Sequence, residues 1–197
     1  MNIILASSSA SRQRVLTAAG VPYTVVPATF NEEAVKDSLL RDHTPLERIA
    51  GALADAKAAS VSQKNPNALV LGGDQTLLFE GELISKCADL AAAHRLLSRL
   101  RGKRHVLSGA LSLAHDSKIV WRHAETAELW MRHFSDAFLD RYVKTEGEGI
   151  LSAVGCYKLE GVGAQLFHQI NGDYFSILGL PLLPLLAELR KQGVIPK

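Results

Sequence analysis

The chain has 197 residues, 47% of them hydrophobic and 21% charged, the balance of a globular protein long enough to bury a core. Lys+Arg 22 against Asp+Glu 20 leaves a net charge of +2, too small to favour a stable nucleic-acid or membrane-surface partner. Two cysteines, Cys87 and Cys156, are too few for a disulfide framework, no apolar run reaches membrane length, and the start lacks the basic residues of a leader. The expectation is a cytoplasmic protein, residues 1–197 forming one domain with two lobes.

The opening stretch reads as a short buried strand from Asn2 to Ala6, a serine-rich turn from Ser7 to Ser11, and a helix from Arg12 to Ala19 closed by Gly20. A strand-to-helix turn presents unpaired N–H groups at the positive end of a helix dipole, where phosphate oxygens can accept. Ser7 and Ser9 add hydroxyl donors, and Arg12 adds a planar, two-pronged cation. The competing reading is that these serines only cap a helix.

Tyr23 to Pro27 reads as a second strand, followed by a polar, acidic loop from Asn31 to His43. Thr44-Pro-Leu-Glu47 predicts a capping box with proline at the first helical position. The helix it opens runs to Ser62 with Leu46, Ile49, Leu53 and Val61 on one stripe, and Lys57 falls on that stripe too. An inward lysine is either a snorkelling side chain or an ammonium aimed into a polar cleft. Ala68 to Gly73 is an apolar strand without alternation, expected to be buried on both faces and to deliver Asp74 at its end. A carboxylate beyond a strand end is a candidate base or metal ligand, or else a turn cap.

Leu77 to Phe79 and Leu83-Ile84 flank a hairpin turn, and its second arm leads to Lys86. Asp89 caps a helix from Leu90 to Leu100, and the cluster Arg99, Arg101, Lys103, Arg104 follows, either a solvated helix end or a site for polyphosphate or RNA. Two long strands, His105 to Ala114 and Lys118 to Met131, are joined by a turn, and Ser135 caps a helix to Lys144. A loop at 145–149 precedes a glycine-spaced stretch, Gly155 to Gly163. Gln165 to Ile170 and Tyr174 to Leu178 predict a strand pair about the turn Asn171-Gly172, and Gly179-Leu-Pro181 opens a final helix that Gly193 ends.

No Walker A loop, dinucleotide fingerprint, zinc spacing or glycine-flanked nucleophilic serine is present. Phosphate-directed groups (Ser7, Ser9, Arg12, Lys57, Lys86) and carboxylates (Glu32, Glu33, Asp74) remain, and they point to metal-assisted chemistry on a phosphorylated substrate.

Leu5-Ala-Ser-Ser-Ser9 with Arg12, Asn31-Glu32, Ala56-Lys57-Ala58, Gly72-Gly-Asp-Gln75, Lys86, Gly155-Cys-Tyr-Lys-Leu-Glu-Gly161, and Gly172-Asp-Tyr with Gly179-Leu-Pro-Leu182 follow one another in the order and spacing of the Maf family. The chain resembles that family over almost its whole length. The resemblance implies an elongated, two-lobed, Maf/ITPase-like α/β fold with a central mixed sheet flanked by helices and a deep substrate cleft. It implies a nucleoside triphosphate pyrophosphatase, dependent on Mg²⁺ or Mn²⁺, that cuts between the α and β phosphates, and a homodimer would be usual. Asp74 matches the catalytic position, and Ser7, Ser9, Arg12, Glu32, Lys57 and Lys86 match phosphate- and metal-binding positions, Glu32 and Asp74 being the metal candidates.

Within that family the pairing Asp74-Gln75 with Glu160 is similar to the enzymes acting on 7-methyl-GTP, rather than to the dTTP/UTP group. A carboxylate accepts from the adjacent N1–H and 2-amino donors of guanine, and a cationic 7-methylated base favours it further. The chain departs from that group at Ala10 and Ser11, where proline and tryptophan are usual, at Ser85 and Cys87, and at Ser152 and Ala153. Ser11, Gln75 and Glu160 are therefore the candidate specificity positions. The other readings are a pyrimidine-type pyrophosphatase, a nucleotide-sensing regulator of cell division, and an RNA-binding protein using Arg99 to Arg104.

Overall fold

The computed structural model describes residues 3–197, so Asn2, expected in the opening strand, lies outside the described residues. In chain order the elements are β1 (Ile3–Leu5), α1 (Ala10–Ala18), β2 (Thr24–Val25), α2 (Glu32–Arg41), α3 (Leu46–Ser62), β3 (Leu69–Phe79) and β4 (Glu82–Ile84). They continue with α4 (Leu90–Leu100), β5 (Arg104–His115), β6 (Lys118–Met131), α5 (Asp136–Glu146), two 3₁₀ turns (Gly147–Ser152 and Val162–Leu166), β7 (Phe167–Asn171), α6 (Tyr174–Ile177) and α7 (Leu182–Lys191). The mixed seven-stranded sheet has the order β2-β1-β3-β5-β6-β7, with β4 paired to β3.

The chain divides into two compact units. The first comprises the chain up to Gln75 with Ser108–Glu125 and Tyr174–Lys197; the second comprises Thr76–Leu107 and Thr126–Asp173. In the first, β1 pairs in parallel with both β2 and β3. Parallel strands take helices on both faces, which explains the unbroken apolar run. Ile3 and Leu5 point into one core with Leu16, Leu69, Leu71, Leu111, Leu185 and Leu189, while Ile4 points into another with Ala58, Val61 and Val70.

Gly72 and Gly73 let this unit close around the middle of β3. A Cβ on Gly72 would run into the carbonyl of Ala54 and lie 2.7 Å from the Ala58 backbone nitrogen, so only glycine lets α3 lie this close to the strand. On the opposite face, a Cβ on Gly73 would meet Leu111 at 3.0 Å and Arg12 Nε at 3.1 Å. One glycine thus admits the helix that carries Lys57, and its neighbour admits the guanidinium of Arg12.

In the second unit, β4 pairs antiparallel with the end of β3, Leu78 opposite Leu83, and β7 pairs antiparallel with β6, Ile170 opposite Leu129. Asp89 and Ser135 cap α4 and α5 as their sequence positions predict.

Four expectations need correction. The acidic segment after Asn31 is helix α2: the Asn31 side chain accepts from the Ala34 N–H, and Glu32 and Glu33 complement the dipole in its first turn. None of its residues is buried: Val35 and Leu39 are half-buried and Leu40 is exposed, so its apolar face is short and shallow. The Thr44 capping box does not form; Pro45 is the residue before the helix, with no side-chain cap bond. Asp74 lies inside β3 rather than beyond it, because the strand continues to Phe79 and pairs with β4. Tyr174–Ile177 is one turn of helix, and β7 pairs with β6 instead. Gly172 has φ 157°, not the left-handed pair of angles a tight hairpin needs, and a Cβ there would collide with Ala127.

Candidate active site

The first unit concentrates its charge around β3. Asp74, Lys57 and Arg12 are 6%, 9% and 8% exposed, values at which an ionised side chain needs partners. Lys57 Nζ lies 2.6 Å from Asp74 Oδ1 and 2.8 Å from Glu32 Oε2, bridging the strand carboxylate to the first turn of α2. Burial pushes the Asp74 carboxyl above its ordinary value, and Lys57, then Arg12, pull it back. The Arg12 guanidinium is lowered by its own burial and held charged by the fields of Asp74 and Glu32.

The serine turn is tied to the same arginine. Arg12 Nη1 donates to Ser7 Oγ at 3.1 Å, and the Ser9 N–H donates to the same oxygen at 3.2 Å. Ser7 accepts twice, so its own hydroxyl proton remains for a further acceptor such as a phosphate oxygen. Ser9 caps α1 by accepting from the Arg12 N–H at 3.4 Å, so capping and a ligand-facing turn coexist here.

The turn Ser176 to Gly179, at the edge of the Gly179-Leu-Pro-Leu182 motif, holds the other side of this group through its carbonyls. Gln75 Nε2 donates to the carbonyls of Ser176 (3.0 Å) and Ile177 (3.2 Å), Ser11 Oγ to Leu178 O (2.9 Å), and Arg12 Nε to Gly179 O (2.8 Å). Successive carbonyls of one turn thus orient three candidate residues. Two carbonyls facing one amide fix which end of Gln75 is nitrogen, and its Oε1 points away from them. Backbone acceptors carry no sequence signature, so nothing in Ser176 to Gly179 marks this role.

Sequence similarity gives the chain a family. Residues 2–192 match the family described as Maf-like protein. The chain belongs to the Maf family. It is 45% identical over 195 residues to the 7-methyl-GTP pyrophosphatase of Brucella abortus biovar 1 (strain 9-941), covering 99% of this chain and 98% of that protein. It is 48% identical over 193 residues to the nucleoside triphosphate pyrophosphatase of Caulobacter vibrioides (strain ATCC 19089 / CIP 103742 / CB 15), covering 98% and 96%. A solved dITP/XTP pyrophosphatase from Mycobacterium abscessus aligns over 100% of this chain and 98% of its own at TM-score 0.42 and 13% identity, too slight a likeness to carry an argument.

The Maf positions expected from the sequence divide by unit. Ser7, Ser9, Ser11, Arg12, Glu32, Lys57, Asp74 and Gln75 all belong to the first unit, in two bonded groups. Lys57 joins Glu32 and Asp74, while Arg12 joins Ser7 and Ser9 directly and Ser11 and Gln75 through the Ser176–Gly179 turn. The fields of Arg12 and Asp74 link the two groups. Lys86 and Glu160 belong to the second and are both exposed, Lys86 just past β4 and Glu160 ahead of the Val162–Leu166 turn. Arg99, Lys103 and Arg104 pair with Glu82, Glu80 and Glu128, and Arg101 with Asp136, so this basic cluster is largely neutralised within its own unit. Among the described residues no three His, Cys, Asp or Glu side chains converge as a closed metal site, and no helix is long and apolar enough to cross a membrane.

Proposed function

We propose that this Maf protein hydrolyses a nucleoside triphosphate between the α and β phosphates, giving a nucleoside monophosphate and pyrophosphate. The observation that carries the reading is the Lys57 bridge between Asp74 and Glu32 beside the Arg12–Ser7 turn, in a chain whose relatives are named as pyrophosphatases.

In this reading Asp74 is the general base. It takes a proton from a water whose oxygen forms a bond to the α phosphorus, while the bond from that phosphorus to the bridging oxygen breaks and its electrons leave with pyrophosphate. A carboxylate whose affinity for protons is raised by burial suits the task, and Lys57 fixes one of its oxygens. Ser7, the Ser9 turn, Arg12 and Lys57 neutralise and orient the phosphates. Lys86 and Glu160 join the assignment on the family resemblance, as a phosphate contact and a base contact.

Glu32 and Asp74 fit a hard divalent cation: both carboxylates reach one ammonium, and two oxygen donors leave the remaining positions to water and phosphate, as Mg²⁺ or Mn²⁺ prefers. When bound, the cation supplies charge neutralisation on the polyphosphate.

A guanine-type base fits best. The hydrogens of the Gln75 amide and of the Ser11 hydroxyl are spent on the Ser176–Leu178 carbonyls, so both residues offer acceptors only. Guanine presents N1–H and a 2-amino group side by side, and 7-methylation adds a positive charge that Glu160 would favour. Assay of 7-methyl-GTP, GTP, UTP, dTTP and 5-methyl-UTP with Mg²⁺ or Mn²⁺, with products identified, tests the reading. Monophosphate and pyrophosphate, with guanine nucleotides preferred, are expected. Preference for UTP or dTTP would favour a pyrimidine-type enzyme, and binding without turnover a nucleotide sensor.

A further inference from the structure

We infer that Glu125 is a positioning residue for this site: through the Ser176 hydroxyl it sets the Ser176–Gly179 turn whose carbonyls orient Gln75, Ser11 and Arg12. The inference rests on the pyrophosphatase reading and extends it to a residue outside the phosphate-binding set.

The chain of contacts lies within the first unit. Ser176 is buried, and its Oγ donates to Glu125 Oε2. The other oxygen, Glu125 Oε1, accepts from His123 Nε2 at 2.8 Å, and the His123 ring stacks on Trp121 at 5.8 Å between centroids and 8° between planes. Trp121, His123 and Glu125 alternate along β6, so they share one half-buried face, and the strand supplies a rigid base for the carboxylate. Burial pushes the Glu125 carboxyl up, but the Ser176 and His123 hydrogen bonds outweigh it and hold the group below its ordinary value. Glu125 is therefore a charged acceptor clamped from both sides, a stiffer anchor than a neutral residue would give.

What Ser176 anchors is unusually placed. α6 has only four residues, too short to hold its own geometry, yet the carbonyls at its end and in the turn that follows receive all four donated hydrogen bonds from the candidate site. If the turn shifts, Gln75 and Arg12 shift with it. Substrate binding should suffer before the chemical step, since the bonds to this turn come from Gln75, Ser11 and Arg12, while Asp74 is held by Lys57.

The test is a double-mutant cycle of Glu125→Ala and Ser176→Ala, with Glu125→Gln as the conservative variant, read by steady-state kinetics on the preferred nucleotide and by amide hydrogen exchange over residues 174–180. Each alanine variant is expected to raise KM about ten-fold, the scale of one hydrogen bond to a charged group, with kcat within about two-fold. The double variant should lose no more than either single one, because both remove the same link. Glu125→Gln, whose amide oxygen still accepts from Ser176, should stay within about three-fold of the parent. Exchange at Gly179 and Leu180, whose N–H groups donate to Ser176 O and Phe175 O, should quicken in the alanine variants. Unchanged exchange, additive losses, a fall in kcat with KM unaltered, or no rescue by glutamine would overturn the inference. Ser176→Ala decides the matter should Glu125→Ala not fold. A parent chain that turns over no nucleotide removes the pyrophosphatase reading, while the exchange rates still decide whether Glu125 orders the turn.

Discussion

The ammonium of Lys57 lies 2.6 Å from Oδ1 of Asp74, so burial and a bound cation pull one carboxylate in opposite directions. Burial wins, and the Asp74 carboxyl titrates above the ordinary 3.8. A general base works only when deprotonated, so activity falls as pH drops through that raised value.

The acid limb of kcat/KM is therefore expected above 3.8, the ordinary aspartate value, and should disappear in Asp74→Asn. The same shift has a stability signature. A carboxyl whose folded pKa is raised contributes stability that is complete below its unfolded value and is lost as pH rises through the folded one. The stability of the parent chain minus that of Asp74→Asn should fall across this window and level off above it. A rising difference would contradict the burial argument.

Gly72→Ala should be costly out of proportion to its size. Its methyl group would meet the backbone of α3 at Ala54 and Ala58, and backbone cannot swing aside. Urea unfolding should show a loss of about 1–3 kcal/mol, and kcat/KM should fall because α3 carries Lys57. Gly51→Ala in the same helix has nothing within 4 Å of the added carbon and should instead stabilise, by about 1 kcal/mol. Equal effects of the two substitutions would mean that close helix–strand approach is not what Gly72 provides.

Gly72 and its neighbour Gly73 also show how far the sequence could be read. Strand, carboxylate and inward lysine were each legible: the apolar run marks β3, and Lys57 falls on the stripe of Leu53 and Val61. Their meeting is expected from the family resemblance alone and not from local pattern, because it depends on α3 and Arg12 approaching opposite faces of β3, a tertiary fact with no local periodicity. α2 reads as a loop in the sequence because charged and polar residues dominate it and its apolar face, Val35, Leu39 and Leu40, is short and nowhere fully buried. The Ser176–Gly179 turn escaped because its contribution to the site is backbone oxygen, and the apparent Asn-Gly hairpin there is overridden by Gly172 packing against Ala127.

Removing divalent metal should abolish pyrophosphate release, and adding Mg²⁺ or Mn²⁺ should restore it. Glu32→Gln should raise the metal concentration needed for half-maximal rate by about ten-fold or more, the scale of losing one charged oxygen ligand. Undiminished turnover in excess chelator would remove Glu32 and Asp74 as a cation site.

Glu160→Gln replaces an acceptor by an amide that also donates, which suits the mixed edge of uracil better than the donor pair of guanine. The ratio of kcat/KM for 7-methyl-GTP over UTP is expected to fall by about ten-fold, the scale of one charged hydrogen bond. An unchanged ranking would take Glu160 out of base recognition.

Cleavage of nucleoside triphosphates at the α–β bond with Asp74 as base is the reaction proposed for this chain. It is tested most directly by following all products from 7-methyl-GTP with the parent chain and Asp74→Asn side by side. The parent should yield monophosphate and pyrophosphate in equal amounts, and the variant a kcat lower by about 10²-fold or more, the scale of losing a general base. Diphosphate and inorganic phosphate as products, or a variant that turns over as fast as the parent, would contradict it.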